Sequence, residues 1–113
     1  MKIAITATGP DWNASVDARF GRADYILMVD SETMELEAID NRSVINIAHG
    51  AGPQTAQLIY EKAPSVLITG NGPGANAAGI LKRMNVDIYV GAADLSIRDA
   101  LQAFKDNKLK KGD

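Results

Sequence analysis

The sequence predicts a single α/β domain over residues 1–113, in which three strands come first and the later strands alternate with helices. Short apolar runs occupy the N-terminal part, and a helical spacing of apolar residues recurs three times after residue 52. Strands that alternate with helices pair in parallel through right-handed crossovers. The predicted element order is therefore βββαβαβα, in three layers around a mixed five-stranded sheet. The length is sufficient for one independent hydrophobic core.

The three N-terminal strands differ in their polarity. Residues 1–7 form an apolar run rich in β-branched side chains, and residues 25–30 have the same character, so both are expected to be buried. Residues 34–40 mix apolar side chains with carboxylates, which predicts an edge strand antiparallel to the second strand. Residues 11–24 show no steady period and are expected to form a long loop.

Each of the three predicted helices presents one apolar stripe with the spacing i, i+3, i+4 and i+7. The stripes are Ala56, Ile59, Tyr60 and Ala63; Ala77, Ile80, Leu81 and Met84; and Ile97, Ala100, Leu101 and Phe104. Strands at residues 65–69 and 86–90 separate the helices. Pro53 suits a first helical turn, where its missing N–H needs no partner. Ser96 followed by Asp99 resembles a capping box for the last helix. Each stripe should lie on a face of the sheet.

Composition excludes several classes of protein. The chain is 46% hydrophobic and 23% charged with a net charge of -2, which argues against disorder and against a nucleic-acid-binding surface. Its C-terminal lysines alternate with polar residues and are expected to form a solvated end. No apolar run has the length of a membrane span and no signal-peptide pattern is seen, so we expect a cytoplasmic protein without a membrane partner. Because cysteine is absent, internal disulfides and thiolate metal sites are excluded.

Two glycine-rich turns open directly into helices. They read His49-Gly50-Ala51-Gly52-Pro53 and Gly70-Asn71-Gly72-Pro73-Gly74-Ala75. Helix N-termini carry unpaired N–H groups and a partial positive charge, so two of them at one sheet edge favour an anion between them. The second turn matches neither the dinucleotide fingerprint nor the phosphate-binding P-loop, although Asn71 and Asn76 add donors. A tight turn required only by geometry remains the alternative interpretation.

Two arginines flank a Phe-Gly pair in the first loop. Arg19 and Arg22 offer rigid forks of donors that suit oxyanions, and Gly21 permits a turn beneath a ligand. The alternative is that Asp17 pairs with one of the arginines and that Phe20 only fills space against the sheet.

His49 is the only histidine of the chain. A neutral imidazole beside a helix start can donate to a ligand or coordinate a soft metal. The alternative is a loop histidine bonded to backbone or water, and one histidine cannot complete a structural zinc site. The sequence has no nucleophile elbow and no fixed pair of carboxylates, which favours a binding protein over an enzyme.

Taken together, these motifs resemble the dinitrogenase iron-molybdenum cofactor biosynthesis family, which includes nitrogenase cofactor carriers and small stand-alone proteins. The matching segments are Lys2-Ile3-Ala4-Ile5, Val16-Asp17-Ala18-Arg19-Phe20-Gly21-Arg22-Ala23-Asp24-Tyr25, His49-Gly50-Ala51-Gly52-Pro53, Gly72-Pro73 with Asn76-Ala77, and Val86-Asp87-Ile88-Tyr89. Their order and spacing cover nearly the whole chain, to about Leu109.

The resemblance implies a ribonuclease-H-like fold but no nuclease activity, because the first strand has no acidic residue to hold a metal. It implies that an anionic iron-sulfur or molybdenum-containing cluster binds near the Arg-Phe-Gly and His-Gly loops, with His49 as its metal ligand. With the glycine turns included, the candidate cofactor-binding residues are Arg19, Phe20, Gly21, Arg22, His49, Gly50, Gly52, Gly72, Gly74 and Asn76.

The implied function is that of a non-catalytic carrier for such a cluster, with cofactor-assembly proteins as partners. One alternative is a small-molecule enzyme or sensor that binds a phosphate or carboxylate metabolite in the same glycine-lined pocket. A further alternative is an interaction module that acts through the acidic residues of the predicted edge strand, Glu35, Glu37 and Asp40.

Overall fold

The structure is a computed structural model that describes residues 1–42 and 51–112, with the backbone alone described at residues 51–53 and 75–76. It contains one mixed sheet and three helices. The strands are β1 (Lys2–Ala7), β2 (Tyr25–Asp30), β3 (Leu36–Asp40), β4 (Val66–Ile68), β5 (Asp87–Val90) and β6 (Lys110–Lys111). The helices are α1 (Ala51–Lys62), α2 (Ala75–Arg83) and α3 (Ile97–Lys105).

The strand order in the sheet is β3-β2-β1-β4-β5-β6. β1 is central: it pairs antiparallel with β2, where Ala7 lies opposite Tyr25, and parallel with β4, where Ile5 lies opposite Ile68. β3 pairs antiparallel with β2, whereas β5 pairs parallel with β4. The predicted antiparallel hairpin, its polar edge strand and the parallel second half are all confirmed.

The prediction of five strands is wrong, because residues near the C-terminus add a sixth. Lys110 and Lys111 pair antiparallel with Val90 and Tyr89, and the N–H of Gly112 donates to the carbonyl of Ile88 at 2.8 Å. Both lysine side chains are exposed, as expected of a solvated end, but their backbone covers the edge that β5 would otherwise leave unpaired. A strand of two residues has no alternation of apolar side chains that a sequence pattern can reveal.

Helices cover both faces of the sheet, which confirms the three layers. On one face α1 and α2 pack through Ala56, Ile59, Ala77 and Leu81 against Ala4, Ile26, Leu67 and Ile88. On the other face α3 packs through Ile97, Ala100 and Leu101 against Ile3, Ile5, Leu27 and Ile68. Successive residues of a strand point to opposite faces, and buried residues on both faces therefore produce the continuous apolar runs of β1 and β2.

The predicted stripes lie on the observed helices, except that Ala63 and Met84 fall one residue beyond the helix ends, and one stripe residue is exposed. Tyr60 was expected to be buried, but its side chain is 57% exposed. It lies in the last turn of α1, which Ala63 ends in a left-handed conformation with φ of 49°, and it borders an open groove rather than the sheet. At α3 the predicted cap is confirmed, since the hydroxyl of Ser96 accepts from the N–H of Asp99 at 3.0 Å. Among the described residues, no helix is both long and apolar enough to cross a membrane.

Candidate functional site

The ends of four strands and the starts of two helices lie along one edge of the sheet, which we call the carboxyl edge. The register places Ala7, the last residue of β1, opposite Tyr25, and places Tyr25 opposite Asp40, the last residue of β3. β4 and β5 run parallel to β1, so they end at this edge as well. Because α1 precedes β4 and α2 follows it, and the two helices pack side by side, both begin at this edge. The prediction of two helix starts at one edge is confirmed.

Residues 17–24, here called the arginine loop, are fixed at their start to the ends of β1 and β4. The hydroxyl of Thr6 donates to the carbonyl of Asp17 at 2.8 Å, and the N–H of Asp17 donates to the carbonyl of Thr6 at 2.9 Å. The hydroxyls of Thr6 and Thr69 are 2.8 Å apart, and both side chains are fully buried. Since Thr6 gives its single proton to Asp17, Thr69 is the donor in the bond between the two hydroxyls.

The arginine loop lies directly against the second glycine turn. The N–H of Asn71 donates to the carbonyl of Ala18 at 2.9 Å, and that of Gly70 donates to the carbonyl of Asp17 at 3.3 Å. A Cβ atom on Gly70 would lie only 2.4 Å from the Cα of Ala18, so no larger residue fits without a backbone shift. Gly72 has φ of 85°, a conformation that favours glycine. Both glycines are therefore required by the local geometry.

Asp17 holds the guanidinium of Arg19 from one side. The Oδ1 of Asp17 accepts from the backbone N–H of Arg19 at 2.9 Å and from its Nε at 3.2 Å, and Oδ2 accepts from Nη2 at 3.2 Å. The hydrogen bond and the charge of Asp17 both raise the pKa of Arg19. The Asp17 side chain is 8% exposed and that of Arg19 is 64% exposed. The alternative that paired Asp17 with an arginine is thus confirmed, and the Nη1 side of the fork is directed away from the carboxylate.

Arg42, which the sequence analysis missed, is held in the same way. The Oδ1 of Asp40 accepts from the backbone N–H of Arg42 at 2.9 Å and from Nε at 3.0 Å, and Oδ2 accepts from Nη2 at 2.7 Å. The guanidinium lies over the ring of Tyr25, with its Cζ 5.3 Å from the ring centre. The charge of Asp24 raises the pKa of both Arg19 and Arg42. The repeated Asp-X-Arg spacing was the available signal in the sequence.

The remaining residues of the arginine loop lie against α1. Phe20 is 4% exposed and packs in the core on the face that carries α1 and α2, so its ring fills space against the sheet, as the alternative interpretation held. The carbonyl of Gly21 lies 3.4 Å from Nδ2 of Asn41 and 3.5 Å from the hydroxyl of Thr55 in α1. Arg22 is half-buried. The structure therefore brings the arginine loop beside the first helix.

Part of the predicted site at the two helix starts is outside the described residues. His49 and Gly50 fall there, and Gly52 lies in the first turn of α1. Gly74 is the N-cap of α2 with φ of -66° and ψ of 171°, and no side chain caps this helix. Asn76 is the second residue of α2. Neither α1 nor α2 has an acidic residue in its first turn, so nothing there offsets the partial positive charge of the helix ends.

Among the described residues, the chemistry available at the carboxyl edge is hydrogen-bond donation. The part of the chain that the structure describes has no group of three or more histidine, aspartate or glutamate side chains placed to hold a metal ion. The buried carboxylate of Asp17 is already bound to Arg19. Guanidinium and backbone N–H groups are suited to bind an anion. If that anion contains a metal, the metal must already carry its own ligands.

The chain belongs to the family described as dinitrogenase iron-molybdenum cofactor, whose model matches residues 1–107. This membership confirms the resemblance and connects the chain with the chemistry of metal-cluster cofactors. A comparison with curated proteins finds no match.

Solved structures of relatives share the fold over nearly their whole length. The apo form of the orange protein from Desulfovibrio gigas superposes with a TM-score of 0.92 and 35% identity, over 97% of this chain and 91% of that one. The NifB-like protein TM1290 from Thermotoga, of the DUF35 family, gives a TM-score of 0.83 and 33% identity, again over 97% and 91%. The crystal structure of PH0822 gives 0.75 at 24% identity, over 98% and 94%, a likeness that concerns the fold alone.

Proposed function

We propose that this chain is a non-catalytic binding or carrier protein for an anionic iron-sulfur or molybdenum-containing cluster. The observation that carries the proposal is the contact of the arginine loop with the second glycine turn, which leads into an uncapped helix start at one sheet edge, in a chain without cysteine. Membership of the iron-molybdenum cofactor family supports the choice of a metal cluster as the anion.

The donor set is suited to a cluster that already holds its own sulfides. Such a cluster needs few protein thiolates, but it does need compensation of its negative charge and donors to its sulfur atoms. Arg19 and Arg22 would offset the charge, and the N–H groups of residues 50–52, Gly72 and Gly74 would line the bed of the site. Phe20 would contribute by fixing the arginine loop against the core.

His49 would ligate the cluster or donate to it. In this proposal the arginines and His49 contact the same ligand, and the arginines disfavour a further positive charge, so we expect a neutral imidazole at neutral pH, which is the form that ligation requires.

A carrier role requires no catalytic arrangement. Its partners would be cofactor-assembly proteins that deliver or receive the cluster, and its location would be the cytoplasm. The ribonuclease-H-like layout is part of the same proposal, and the order β3-β2-β1-β4-β5 of the first five strands supports it.

The first test measures anaerobic binding of tetrathiomolybdate, a molybdenum-sulfide dianion, and of a synthetic iron-sulfur cluster, by absorption and metal analysis. We expect Arg19→Ala to weaken binding about tenfold or more, because a charge-assisted hydrogen bond contributes about 1.5–3 kcal/mol. Lys62→Ala is the control. Lys62 lies in the last turn of α1, far from the helix start, and pairs with Glu37 of β3. Equal binding by the wild type and an Arg19→Ala/His49→Ala double variant would remove these residues from the proposal.

The second test asks whether a negative charge at the start of α2 weakens anion binding when the size of the side chain is kept constant. A Cβ atom at Gly74 meets nothing within 4 Å, so Gly74→Asp and Gly74→Asn both fit and both can cap α2. Only the aspartate repels an anion, and we expect it to bind tetrathiomolybdate about two- to fivefold more weakly than the asparagine variant. Strong stabilisation of the wild type by inorganic phosphate or an organic acid, with no response to either cluster probe, would favour the metabolite-binding alternative.

A further inference from the structure

One buried residue, Asn41, pairs with three backbone carbonyls of the arginine loop, two through its side chain and one through its backbone N–H. Asn41 follows β3 directly and has no exposed surface. Its Nδ2 donates to the carbonyl of Ala23 at 2.8 Å and reaches the carbonyl of Gly21 at 3.4 Å. Its backbone N–H donates to the carbonyl of Asp24 at 2.8 Å. Buried carbonyls outside a strand ladder need such a partner, and a single residue supplies it for this half of the loop.

The same carboxamide also contacts α1. Its Oδ1 accepts from the hydroxyl of Thr55 at 3.3 Å, and Thr55 is fully buried as well. The end of β3, the arginine loop and the first helix therefore meet at Asn41. This position requires two donors and one acceptor on a short side chain, which asparagine has and aspartate or leucine lacks.

We propose that Asn41 is a positioning residue for the ligand site: it holds residues 21–24 against α1 and thereby fixes Arg19 and Arg22 relative to the start of that helix. This inference rests on the proposed function, in which the arginine loop contacts the ligand. Asn41 is buried and acts through the loop. Directed hydrogen bonds weaken steeply when donors are misplaced, so a released loop binds an anion less well although every ligand-contacting residue is still present.

The experiment compares three variants by two measurements. Asn41→Ala removes the carboxamide, and Thr55→Val removes the hydroxyl that contacts the carboxamide and the carbonyl of Gly21. Val29→Ala is a control that weakens the core on the face covered by α3. The first measurement is the backbone amide shifts and order parameters of residues 18–24 without ligand. The second is the dissociation constant for tetrathiomolybdate, at a temperature at which every variant is folded.

We expect Asn41→Ala to increase the mobility of these amides and to weaken tetrathiomolybdate binding about tenfold, the size of effect typical for residues that support a ligand-contacting group. Thr55→Val should act in the same direction with a smaller effect, because the bonds from Nδ2 to the loop carbonyls remain. Val29→Ala should lower stability and leave both measurements unchanged. If Asn41→Ala does not fold, Thr55→Val, which keeps the side-chain volume, decides the test.

The proposal is overturned if the Asn41 and Thr55 variants bind the probe as tightly as Val29→Ala does, whether or not the loop amides change. Failure of the proposed function has a different signature. In that case the wild type does not bind the cluster probes, or Arg19→Ala binds them equally well, and the amide measurement alone then reports whether Asn41 holds the loop.

Discussion

Two arginines at the carboxyl edge each donate the same three hydrogen bonds to an aspartate two residues earlier. Arg19 is held by Asp17 and Arg42 by Asp40, in each case through the backbone N–H, Nε and Nη2. An arginine side chain loses much rotamer freedom when it binds a ligand in one geometry. The aspartates fix that geometry in advance, and they also reduce the net positive charge. Such a site depends on directed donors more than on a general electrostatic field.

The Asp40–Arg42 pair predicts a specific pH response. The Arg42 side chain, and after it the Arg42 N–H, lowers the pKa of Asp40 to about 2. A carboxylate with a lowered pKa contributes stability that is fully present above its unfolded pKa of about 3.9 and that is lost as the pH falls through the folded value. Arg42→Leu should move the pKa of Asp40 back towards its ordinary value, as measured by NMR titration of the side-chain carboxyl carbon.

Arg98→Leu is the control for this titration, because Arg98 lies over Trp12 and makes no contact with Asp40 in the described structure. Since the Asp40–Arg42 pair is exposed, stability at neutral pH should hardly change in either variant. An Asp40 midpoint that stays near pH 2 in Arg42→Leu would show that the Arg42 side chain is not the main cause of the shift.

At the scale of elements, the turn after β4 packs so closely against the arginine loop that a side chain larger than that of glycine does not fit at residue 70. We predict that Gly70→Ala lowers the free energy of unfolding by about 1–3 kcal/mol, because a Cβ atom must displace the backbone at Ala18. The substitution should also shift the amide resonances of residues 17–24. Gly74→Ala is the matched control, since its Cβ atom meets nothing within 4 Å. Chemical denaturation measures both variants, and equal stability of the two would contradict the prediction.

The sequence predicts the long helices and strands because the spacing of their apolar residues follows from which side chains are buried. β1 and β2 are mostly apolar because both of their faces are covered, and the helix stripes face the sheet. β3 is identifiable as an edge strand from its carboxylates. Asn41 has no such signature, because its role depends on carbonyls of residues 21–24, which are distant in sequence. The pairing of Asp17 with Arg19 was recognisable only as one of two alternatives, since spacing alone does not show where a guanidinium points.

At the scale of the whole molecule, β6 closes the sheet with very few residues. Removal of residues 110–113 should expose the edge of β5 and break the bond from Gly112 to Ile88. We expect the free energy of unfolding to fall by about 1–2 kcal/mol, because each lost hydrogen bond contributes about 0.5–1.5 kcal/mol. The open edge should also promote self-association, which sedimentation can detect.

The control for this truncation is Lys110→Gln/Lys111→Gln in the full chain. It removes two charges but keeps the backbone pairing with β5. If the truncated chain is as stable and as monomeric as this variant, then β6 does not protect the edge.

The central position of β1 has a consequence for the order in which the chain folds. Its partner on one side, β2, follows closely in sequence, whereas its partner on the other side, β4, begins only at Val66. During synthesis the meander of β1, β2 and β3 can form early, while contacts between distant segments wait for a long loop to close. Until β4 leaves the ribosome, the nascent chain presents an apolar strand with one unpaired edge, and in that interval it depends most on chaperones.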